Sequence, residues 1–277
     1  MSKYFSILLL FFVSLFYGQK QDKNSYIPVE ITKTDGVKMN VLVSKVQIPK
    51  ISTFKDVLGG GDFNSKTKIE YKASESSPSE KITAKEISKI AYLDKDYDEA
   101  LAFEKLKVKE FDRNGVLKDA KNDVFLSRIY DGKIGIYGHP NIICTKNGQI
   151  GPYMCEYTYS IFYLKNNQEN FAVMPLDINL FDLKRSFDNF VNAFKVAGKD
   201  CPEFAKYLEL FRKKMEDRNF QKEMRKGMID YKKQVVKEAK ENKLDTGETL
   251  DYISRKMFEY EARLYLGIVK EYEKNCP

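Results

Sequence analysis

The stretch from Val124 to Met174 decides the fold; it reads VFLSRIYDGKIGIYGHPNIICTKNGQIGPYMCEYTYSIFYLKNNQENFAVM. Aromatic and β-branched residues dominate it, and the Asp-Gly, Asn-Gly and Asn-Asn pairs that interrupt it are typical of tight turns. The segments before it are typical of further strands, and those after it are typical of helices. The sequence therefore predicts an α+β protein, in which a curved antiparallel β-sheet precedes a C-terminal helical hairpin or bundle.

Turn residues and alternation predict two details inside this stretch. Ile129 and Ile134 flank Asp131-Gly132, and a two-residue turn would place them directly opposite each other on one face. Further on, alternating residues of one strand fall into two sets: Tyr157, Tyr159, Ile161 and Tyr163, and Thr158, Ser160, Phe162 and Leu164. Half of the second set is apolar, so we expect a sheet that is covered at least partly on both faces.

The residues before Val124 predict a hairpin and several further strands. Residues 26–47 alternate on both sides of Asp35-Gly36, which is a strong hairpin signal. Residues 52–66 break the alternation and are expected to form an irregular loop. Thr83 and Glu86 have the spacing of a capping box, which predicts one helical turn. Further strands are expected at Thr67–Ala73, Lys89–Leu93 and Leu101–Phe111, the last turning at Arg113-Asn114-Gly115.

The first eighteen residues have the parts of a secretory signal peptide. Lys3 precedes an apolar run from Phe5 to Tyr17, and Gly18 stands before the polar Gln19. The run is shorter than the ~20 residues that a membrane-spanning helix needs. We expect residues 1–18 to be a signal peptide, the protein to be periplasmic or extracellular, and no transmembrane segment to remain. An uncleaved N-terminal anchor is the alternative.

After Pro175 the apolar spacing changes from two residues to three and four, which is typical of amphipathic helices. We therefore divide the mature chain into a β-rich domain, residues 19–178, and a helical domain with a long antiparallel hairpin, residues 179–277. Gly198 is expected to end the first helix, and Asp200 to be the N-cap of a second helix that begins at Cys201-Pro202-Glu203. The predicted apolar stripes are Leu183, Phe187, Phe190, Val191 and Phe194; Phe204, Tyr207, Leu208 and Phe211; Phe220, Met224, Met228, Tyr231, Val235 and Ala239; and Leu250, Ile253, Met257, Tyr260, Leu264 and Ile268.

The four cysteines, an even number, favour two disulfides in an exported chain. Cys144 and Cys155 flank a turn-rich segment, so a local bridge between them is expected. Cys201 would then pair with Cys276 and close a loop of about 75 residues, which restrains the unfolded chain. The sequence also allows the other pairings and buried free thiols.

Three features suggest ligand or catalytic sites but lack defining residues. The first is a set of weak metal candidates with the spacing of calcium ligands: Asp94, Asp96 and Asp98. A calcium loop also needs a glycine and a glutamate, and this sequence has Glu99 and Lys105 at those two positions. Gly60–Thr67 differs from a phosphate-binding loop at one glycine and leads into a predicted strand. The single histidine, His139, is expected in a loop between two strands near two cysteines, but the sequence shows no base and orienting group for a thiolate nucleophile. We therefore predict structural roles, no catalytic residue and no cofactor.

Charge is asymmetric in the predicted helices. The whole chain carries a net charge of +7, which is mild for its 277 residues and argues against nucleic acid as a partner. Twelve basic residues stand against six acidic ones between Arg212 and Lys243. Such a helical face attracts polyanions, here lipopolysaccharide, acidic glycan or anionic lipid, or is simply a solvated exterior. The candidates for polyanion binding are Lys222, Arg225, Lys226, Lys232 and Lys233.

Several blocks of the chain occur in a familiar order, among them KIEYKASESSPSEKITAKEISKIAYL, NDVFLSRIYDGKIGIYG, SIFYLKNNQENF, DCPEF and EYEKNC. This order resembles a broad group of uncharacterised exported proteins of Bacteroidota, in which a β-rich region precedes a helical hairpin opened by Asp-Cys-Pro and closed by a C-terminal cysteine. The resemblance implies no activity and no catalytic residues, but it favours the Cys201–Cys276 pairing. The sequence departs from that pattern in an expanded loop at Gly59–Phe63 and a much longer helical hairpin.

The length of the hairpin predicts a bend. One unbroken helix from 202 to 242 would outrun the returning helix by roughly 20 Å at 1.5 Å per residue. Cys201 and Cys276 can meet only if the chain bends, and we expect the bend near Glu216-Asp217-Arg218-Asn219.

Two hypotheses for function follow from these observations. The first is a non-enzymatic envelope or secreted protein that binds an envelope protein or an anionic polymer through its sheet face or its basic helical hairpin. The second is an enzyme that acts on an envelope polymer with carboxylate or tyrosine chemistry. A cleft with two or more perturbed carboxylates would favour the enzyme, and a long exposed apolar or basic stripe on the helices would favour the binding protein.

Overall fold

The computed structural model describes residues 26–44, 68–93, 102–112, 114–120, 123–146, 153–175, 183–199 and 201–276. These residues form strands and then helices, which confirms the predicted α+β class. The predicted signal peptide, the loop 52–66, Gly60–Thr67 and the three candidate metal ligands lie outside the described residues. The strands are β1 (Tyr26–Lys33), β2 (Lys38–Ser44), β3 (Lys68–Lys72), β4 (Glu80–Thr83), β5 (Ile87–Tyr92), β6 (Ala102–Phe111), β7 (Leu117–Asp119), β8 (Val124–Tyr130), β9 (Ile134–Lys146), β10 (Tyr153–Asn166) and β11 (Phe171–Val173).

The first five strands form one wing of the sheet with an apolar cluster of its own. β1 pairs with β2 across Asp35-Gly36, and the positive φ of Gly36, 88°, explains why a glycine stands in this turn. The predicted hairpin is therefore confirmed, and so is the capping box at Thr83 and Glu86, which begins a short 3-10 turn, Ala84–Glu86. The buried residues of the wing are Ile27, Val29, Ile31, Val41, Val43, Ile69, Ile82, Ile87, Ile90, Tyr92 and Phe103.

Five later strands, β6, β8, β9, β10 and β11, close into a ring, and among the described strands β7 pairs only with β6. Most neighbouring strands are antiparallel, but β11 pairs with β10 on one side and runs parallel to β6 on the other. The predicted antiparallel sheet is therefore closed by one parallel pair. Side chains from all five strands meet in one buried cluster, as expected for the inner face of a closed sheet; they are Leu106, Val108, Leu126, Tyr137, Tyr163 and Ala172.

The long hairpin of β9 and β10 departs from the predicted alternation at one point. A β-bulge at Tyr157–Tyr159 shifts the register, so that Tyr157 lies opposite Ile142 and Tyr159 lies opposite Asn141. Because a bulge inserts one residue, Tyr157 moves to the face of Ser160, and the Tyr157 hydroxyl lies 2.8 Å from Ser160 Oγ. The prediction that Tyr157 shares a face with Tyr159 was wrong, since alternation alone cannot locate a bulge.

The predicted pairing of Ile129 with Ile134 was also wrong. The register shifts between Arg128 and Tyr130, and Tyr130 lies opposite Ile136 instead. The connection is wider than a two-residue turn because a helical side chain occupies it. Glu273 accepts hydrogen bonds from the Lys133 backbone N–H, at 3.1 Å, and from the Tyr130 hydroxyl, at 2.6 Å.

The described residues form four helices, α1 (Leu183–Ala197), α2 (Pro202–Glu216), α3 (Arg218–Glu241) and α4 (Thr246–Asn275). α2 ends at Glu216 and α3 begins at Arg218, which confirms the predicted bend. Asp217 joins them in an extended conformation and caps α3, since its carboxylate accepts hydrogen bonds from two backbone N–H groups of α3. None of the described helices has a stretch long and apolar enough to cross a membrane.

The bend allows the predicted disulfide to form. Cys201 and Cys276 are bonded, with their Cα atoms 5.9 Å apart, inside the limit for a disulfide. Cys155 is also disulfide-bonded and lies opposite Cys144 in the β9–β10 pair. The side chain of Cys144 lies outside the described set, so its bond to Cys155 stays a prediction.

The junction between α1 and α2 corrects one predicted cap and refines another. The N-cap of α2 is Cys201, not Asp200, and Pro202 takes the first helical position, where its missing N–H costs nothing. α1 ends before Gly198, as predicted, but the φ of Gly198 is not positive. A Cβ at this position would lie 2.5 Å from the Phe204 ring, so close packing and not a left-handed turn requires the glycine.

The helices and the ring share one core. Ile134, Ile136, Phe162 and Leu164 of the ring belong to the same buried cluster as Phe190, Phe194, Phe204, Leu208, Tyr265, Ile268 and Val269 of the helices. α4 lies at its centre, since it contacts β9, β10, α2 and α3. The predicted domain boundary at residue 178 lies outside the described residues and stays a prediction.

Candidate functional site

α3 is an amphipathic helix of 24 residues, about 36 Å long, that packs on α4 along one narrow face. Val235 and Ala239 are buried near its end, and the Tyr231 ring stacks on the Tyr260 ring of α4 with the centroids 4.5 Å apart. Towards the start of α3 the packing is thinner, and Met228 keeps 38% of its surface exposed. Much of the helix surface therefore faces solvent.

A row of basic side chains occupies this solvent-facing surface. Its members recur at spacings of three, four and seven residues, which places them on one side of the helix. Every member is exposed, and none forms an ion pair with another described residue. We call this row the basic stripe; it consists of Arg218, Lys222, Arg225, Lys226, Lys233 and Lys240.

The acidic residues of α3 do not interrupt the basic stripe. Glu223 is three residues before Lys226, and Asp230 is four residues after it, so the two carboxylates border one edge of the stripe. Glu241 forms an ion pair with Lys237, at 3.6 Å, so that lysine is outside the stripe as well. Six basic residues with two bordering carboxylates leave this side of α3 with a net positive charge.

One exposed apolar side chain lies within the basic stripe. Ile229 is 41% exposed and follows Lys222 by seven residues and Arg225 by four, which are spacings of neighbours on a helix. Lys and Arg around an exposed apolar residue are typical of surfaces that meet anionic amphiphiles.

The structure places the five predicted polyanion-binding residues in two groups. Lys222, Arg225, Lys226 and Lys233 belong to the basic stripe. Lys232 is half-buried and points to the sheet, where its ammonium group lies 3.0 Å from Glu156 Oε1 and 3.3 Å from the Tyr157 backbone oxygen. Lys232 therefore joins α3 to β10, near the bulge.

His139 and Cys155 have positions that differ from those of a catalytic pair. His139 lies inside β9, opposite Ile161, and not in a loop between strands as expected. Cys155 is disulfide-bonded and therefore supplies no thiolate. In the described part of the chain, no three His, Cys, Asp or Glu side chains form a group that could hold a metal ion.

A buried polar cluster that the sequence did not predict lies between α4 and the β10 bulge. Glu261 Oε2 accepts a hydrogen bond from the Ser160 backbone N–H, at 2.7 Å. Burial raises the pKa of Glu261 above its usual range, although hydrogen bonds from Ser160 and Tyr157 oppose this shift. Glu261 is four residues from both Met257 and Tyr265, which are buried, and this spacing is the signal that could have identified it.

This cluster is largely buried and holds one carboxylate, whose Oε1 is inaccessible to solvent. Tyr265 is 3% exposed, and its hydroxyl has no hydrogen-bond partner among the described residues. Burial, and to a smaller extent the charge of Glu261, raise the pKa of the Tyr265 hydroxyl, so it stays protonated. The cluster therefore fixes α4 on β10, because the bulge supplies a backbone donor that a helix carboxylate accepts.

A second charged cluster lies on the ring strands. Arg128 forms ion pairs with Glu104 and with Asp131, the latter at 2.6 Å, and the Tyr137 hydroxyl donates to Glu104 Oε2 at 2.8 Å. Burial is the largest cause that raises the pKa of Tyr137. These groups satisfy one another and hold β6, β8 and β9 together, whereas the basic stripe leaves its charges available to a partner.

Comparisons with protein-family models, with curated proteins and with solved structures found no match to this chain.

Proposed function

We propose that the protein is an exported, non-enzymatic binding protein that holds an anionic component of the cell envelope against the basic stripe of α3. The observation that carries this proposal is the stripe itself, which has six exposed basic side chains along one side of a helix and no ion pair among the described residues. Export is supported by the predicted signal peptide and by the Cys201–Cys276 disulfide, because disulfides persist in oxidising compartments.

The physics of the stripe favours a charged surface or chain over a compact ligand. The stripe extends along a helix of about 36 Å, so several anionic groups can contact it at once. Each Lys or Arg near an anionic surface contributes about 1 kcal/mol of attraction, and this attraction weakens as salt screens it. Partner binding through this face needs no rearrangement of α3, since the stripe is already exposed.

A charge-neutralising variant tests the proposal. In K222Q/R225Q/K226Q/K233Q, four stripe residues lose their charge but keep side chains that can form hydrogen bonds. We expect the affinity for phosphatidylglycerol vesicles to fall at least about tenfold, because about 1 kcal/mol per charge is lost. Cosedimentation with these vesicles, and with neutral phosphatidylcholine vesicles, measures the effect.

The matched control removes four charges from the sheet. Lys68, Lys81, Lys85 and Lys107 are exposed and form no ion pair with described residues, so K68Q/K81Q/K85Q/K107Q changes the net charge equally. We expect this variant to bind anionic vesicles nearly as well as wild type. An equal loss of vesicle affinity in the two variants would show a general effect of net charge and would overturn the assignment to α3. Equal affinity of the wild type for anionic and neutral vesicles would overturn it as well.

A further inference from the structure

A cavity of about 470 Å³ lies between α1, α2 and the start of α3. Its apolar wall contains Phe187, Phe190, Phe211 and Met215. Phe190 is buried at its base, and the Phe211 ring stacks beside it with the centroids 6.1 Å apart. The volume is within the range of small-molecule sites, about 300–1,000 Å³. An apolar chain or ring would therefore find both space and aromatic contacts there.

The acidic groups near the mouth of this cavity are already engaged. Arg212 donates to Asp188 at 2.6 Å and lies 3.6 Å from Glu216. The carboxylate of Asp217, at the bend, accepts from two backbone N–H groups of α3. These contacts reduce the repulsion that an incoming anion would meet.

Two arginines of the basic stripe are helical neighbours of a residue that lines the cavity. Gln221 lines the cavity, and Arg218 and Arg225 are three residues before it and four residues after it, so the three side chains lie on one side of α3. Both arginines are exposed and form no ion pair with described residues. A guanidinium binds phosphate oxygens in a bidentate manner, which suits a phosphate headgroup better than an ammonium does.

We propose that this cavity binds an anionic amphiphile, with one apolar chain against Phe187, Phe190 and Phe211 and a phosphate headgroup on Arg218 and Arg225. The proposal rests on the proposed function and specifies the partner as a lipid, because a soluble polyanion would use the stripe and leave the aromatic cavity empty. The apolar chain of the amphiphile contacts the aromatic wall, and the two arginines select an anionic headgroup.

The absence of tryptophan from the sequence allows a clean test. Phe187→Trp introduces one indole at the half-buried wall of the cavity. As a matched control, Val116→Trp introduces one at an exposed position in the turn between β6 and β7. The ligand is dodecyl phosphate below its critical micelle concentration. Inorganic phosphate supplies the headgroup alone, and dodecyl maltoside supplies the chain with a neutral headgroup. We expect a saturable blue shift in F187W with dodecyl phosphate, no response to phosphate, and a much weaker response to the maltoside.

The arginines are tested in the same background. R218Q/R225Q should weaken dodecyl phosphate binding at least about tenfold, because two charge-assisted contacts are lost, whereas K68Q/K81Q should leave it unchanged. Should F187W fail to fold, the ¹³C-methyl NMR signal of Met215 in the otherwise unaltered chain reports the same site. The proposal would be overturned if dodecyl phosphate left the F187W emission or the Met215 signal unchanged. It would also be overturned if R218Q/R225Q bound dodecyl phosphate as tightly as the protein with both arginines.

The two proposals fail in different ways. If the stripe binds anionic vesicles but dodecyl phosphate leaves the cavity probes unchanged, the lipid-chain site is wrong and the proposed function stands. If neither vesicles nor dodecyl phosphate bind in a charge-dependent way, the proposed function is wrong and the lipid-chain site is wrong with it.

Discussion

Glu261 is an acidic side chain that α4 places against a strand bulge. Its Oε2 accepts from the Ser160 N–H, whereas its Oε1 is buried without a hydrogen-bond partner among the described residues. Burial is the largest cause of its raised pKa. The folded chain therefore holds this proton more tightly than the unfolded chain, and ionisation of Glu261 opposes folding.

This imbalance predicts how stability depends on pH. Above about pH 4.3, the ordinary glutamate pKa, the contribution of Glu261 to the free energy of unfolding falls until the pH has passed the raised folded pKa. Glu261→Gln removes this equilibrium and keeps an oxygen acceptor for the Ser160 N–H. The difference in unfolding free energy, wild type minus E261Q, should decrease through this window by at most about 1.4 kcal/mol per pH unit. Urea denaturation at several pH values measures it.

Glu259→Gln is the control for this measurement. Glu259 is exposed on the same helix and forms a 3.4 Å ion pair with Lys256. E259Q should keep the pH dependence of the wild type. A constant difference between wild type and E261Q at all pH values would contradict the assignment.

Individual residues were the least predictable scale. Alternation correctly placed Phe162 and Leu164 on one face, which the helices cover, but it could not locate the bulge that moves Tyr157. The turn at Asp131-Gly132 was misjudged because Glu273, which is distant in sequence, occupies it. Both errors concern tertiary contacts that local spacing does not encode.

At the scale of elements, the junction of α1 and α2 depends on one close contact. Gly198 lies against the fully buried ring of Phe204, and a Cβ would lie 2.5 Å from two of its carbons and 3.1 Å from the Tyr272 ring. Phe204 cannot move away, since it is packed in the core that α2 shares with the ring. The junction therefore tolerates no side chain at this position.

Two glycine substitutions should have opposite effects on stability. Gly198→Ala overpacks the junction and should destabilise the fold by about 1–3 kcal/mol. Gly267 lies inside α4, and a Cβ there has no neighbour within 4 Å. Gly267→Ala should stabilise the fold by about 1 kcal/mol, because alanine favours helix. Thermal and urea denaturation of both variants provide the test, and a stabilising G198A would refute the packing argument.

Elements were more predictable than residues because their periodicity repeats over many positions. The apolar spacing of Phe187, Phe190, Val191 and Phe194 correctly predicted α1. The bend at Asp217 was predicted from the lengths of two helices. The basic stripe was found by counting charges, although Lys232 proved to contact the sheet. The cavity was missed, because its wall combines residues from three helices.

At the scale of the whole molecule, two long-range connections close the fold. β11 pairs with β6, more than sixty residues earlier, and Cys201 bonds to Cys276 across a separation of 75 residues. The disulfide contributes about 4 kcal/mol by the loop-entropy account. The disulfide was one of the pairings that the four cysteines allow, and the resemblance to exported proteins of Bacteroidota favoured it. The parallel pairing of β11 was not, because no local pattern specifies which distant edge a three-residue strand will join.

The same architecture explains why α3 presents its charges. α4 is held on the sheet through Glu261, Glu273 and the shared core, and α3 packs on α4 and contacts β10 through Lys232. α3 is thereby fixed at the periphery, with one face on α4 and the basic stripe on its solvent side. The basic stripe is therefore exposed without any rearrangement of the helices.

The central claim is that the basic stripe of α3 binds an anionic partner, and the salt dependence of binding tests it most directly. The dissociation constant of the purified chain for phosphatidylglycerol vesicles should be measured between low and high salt, for the wild type and for K222Q/R225Q/K226Q/K233Q. Exposed charges are screened beyond about 10 Å at 0.1 M salt, so wild-type affinity should fall steeply with salt, and that of the variant should start low and change little. Equal salt dependence in the two proteins would contradict a binding function for α3.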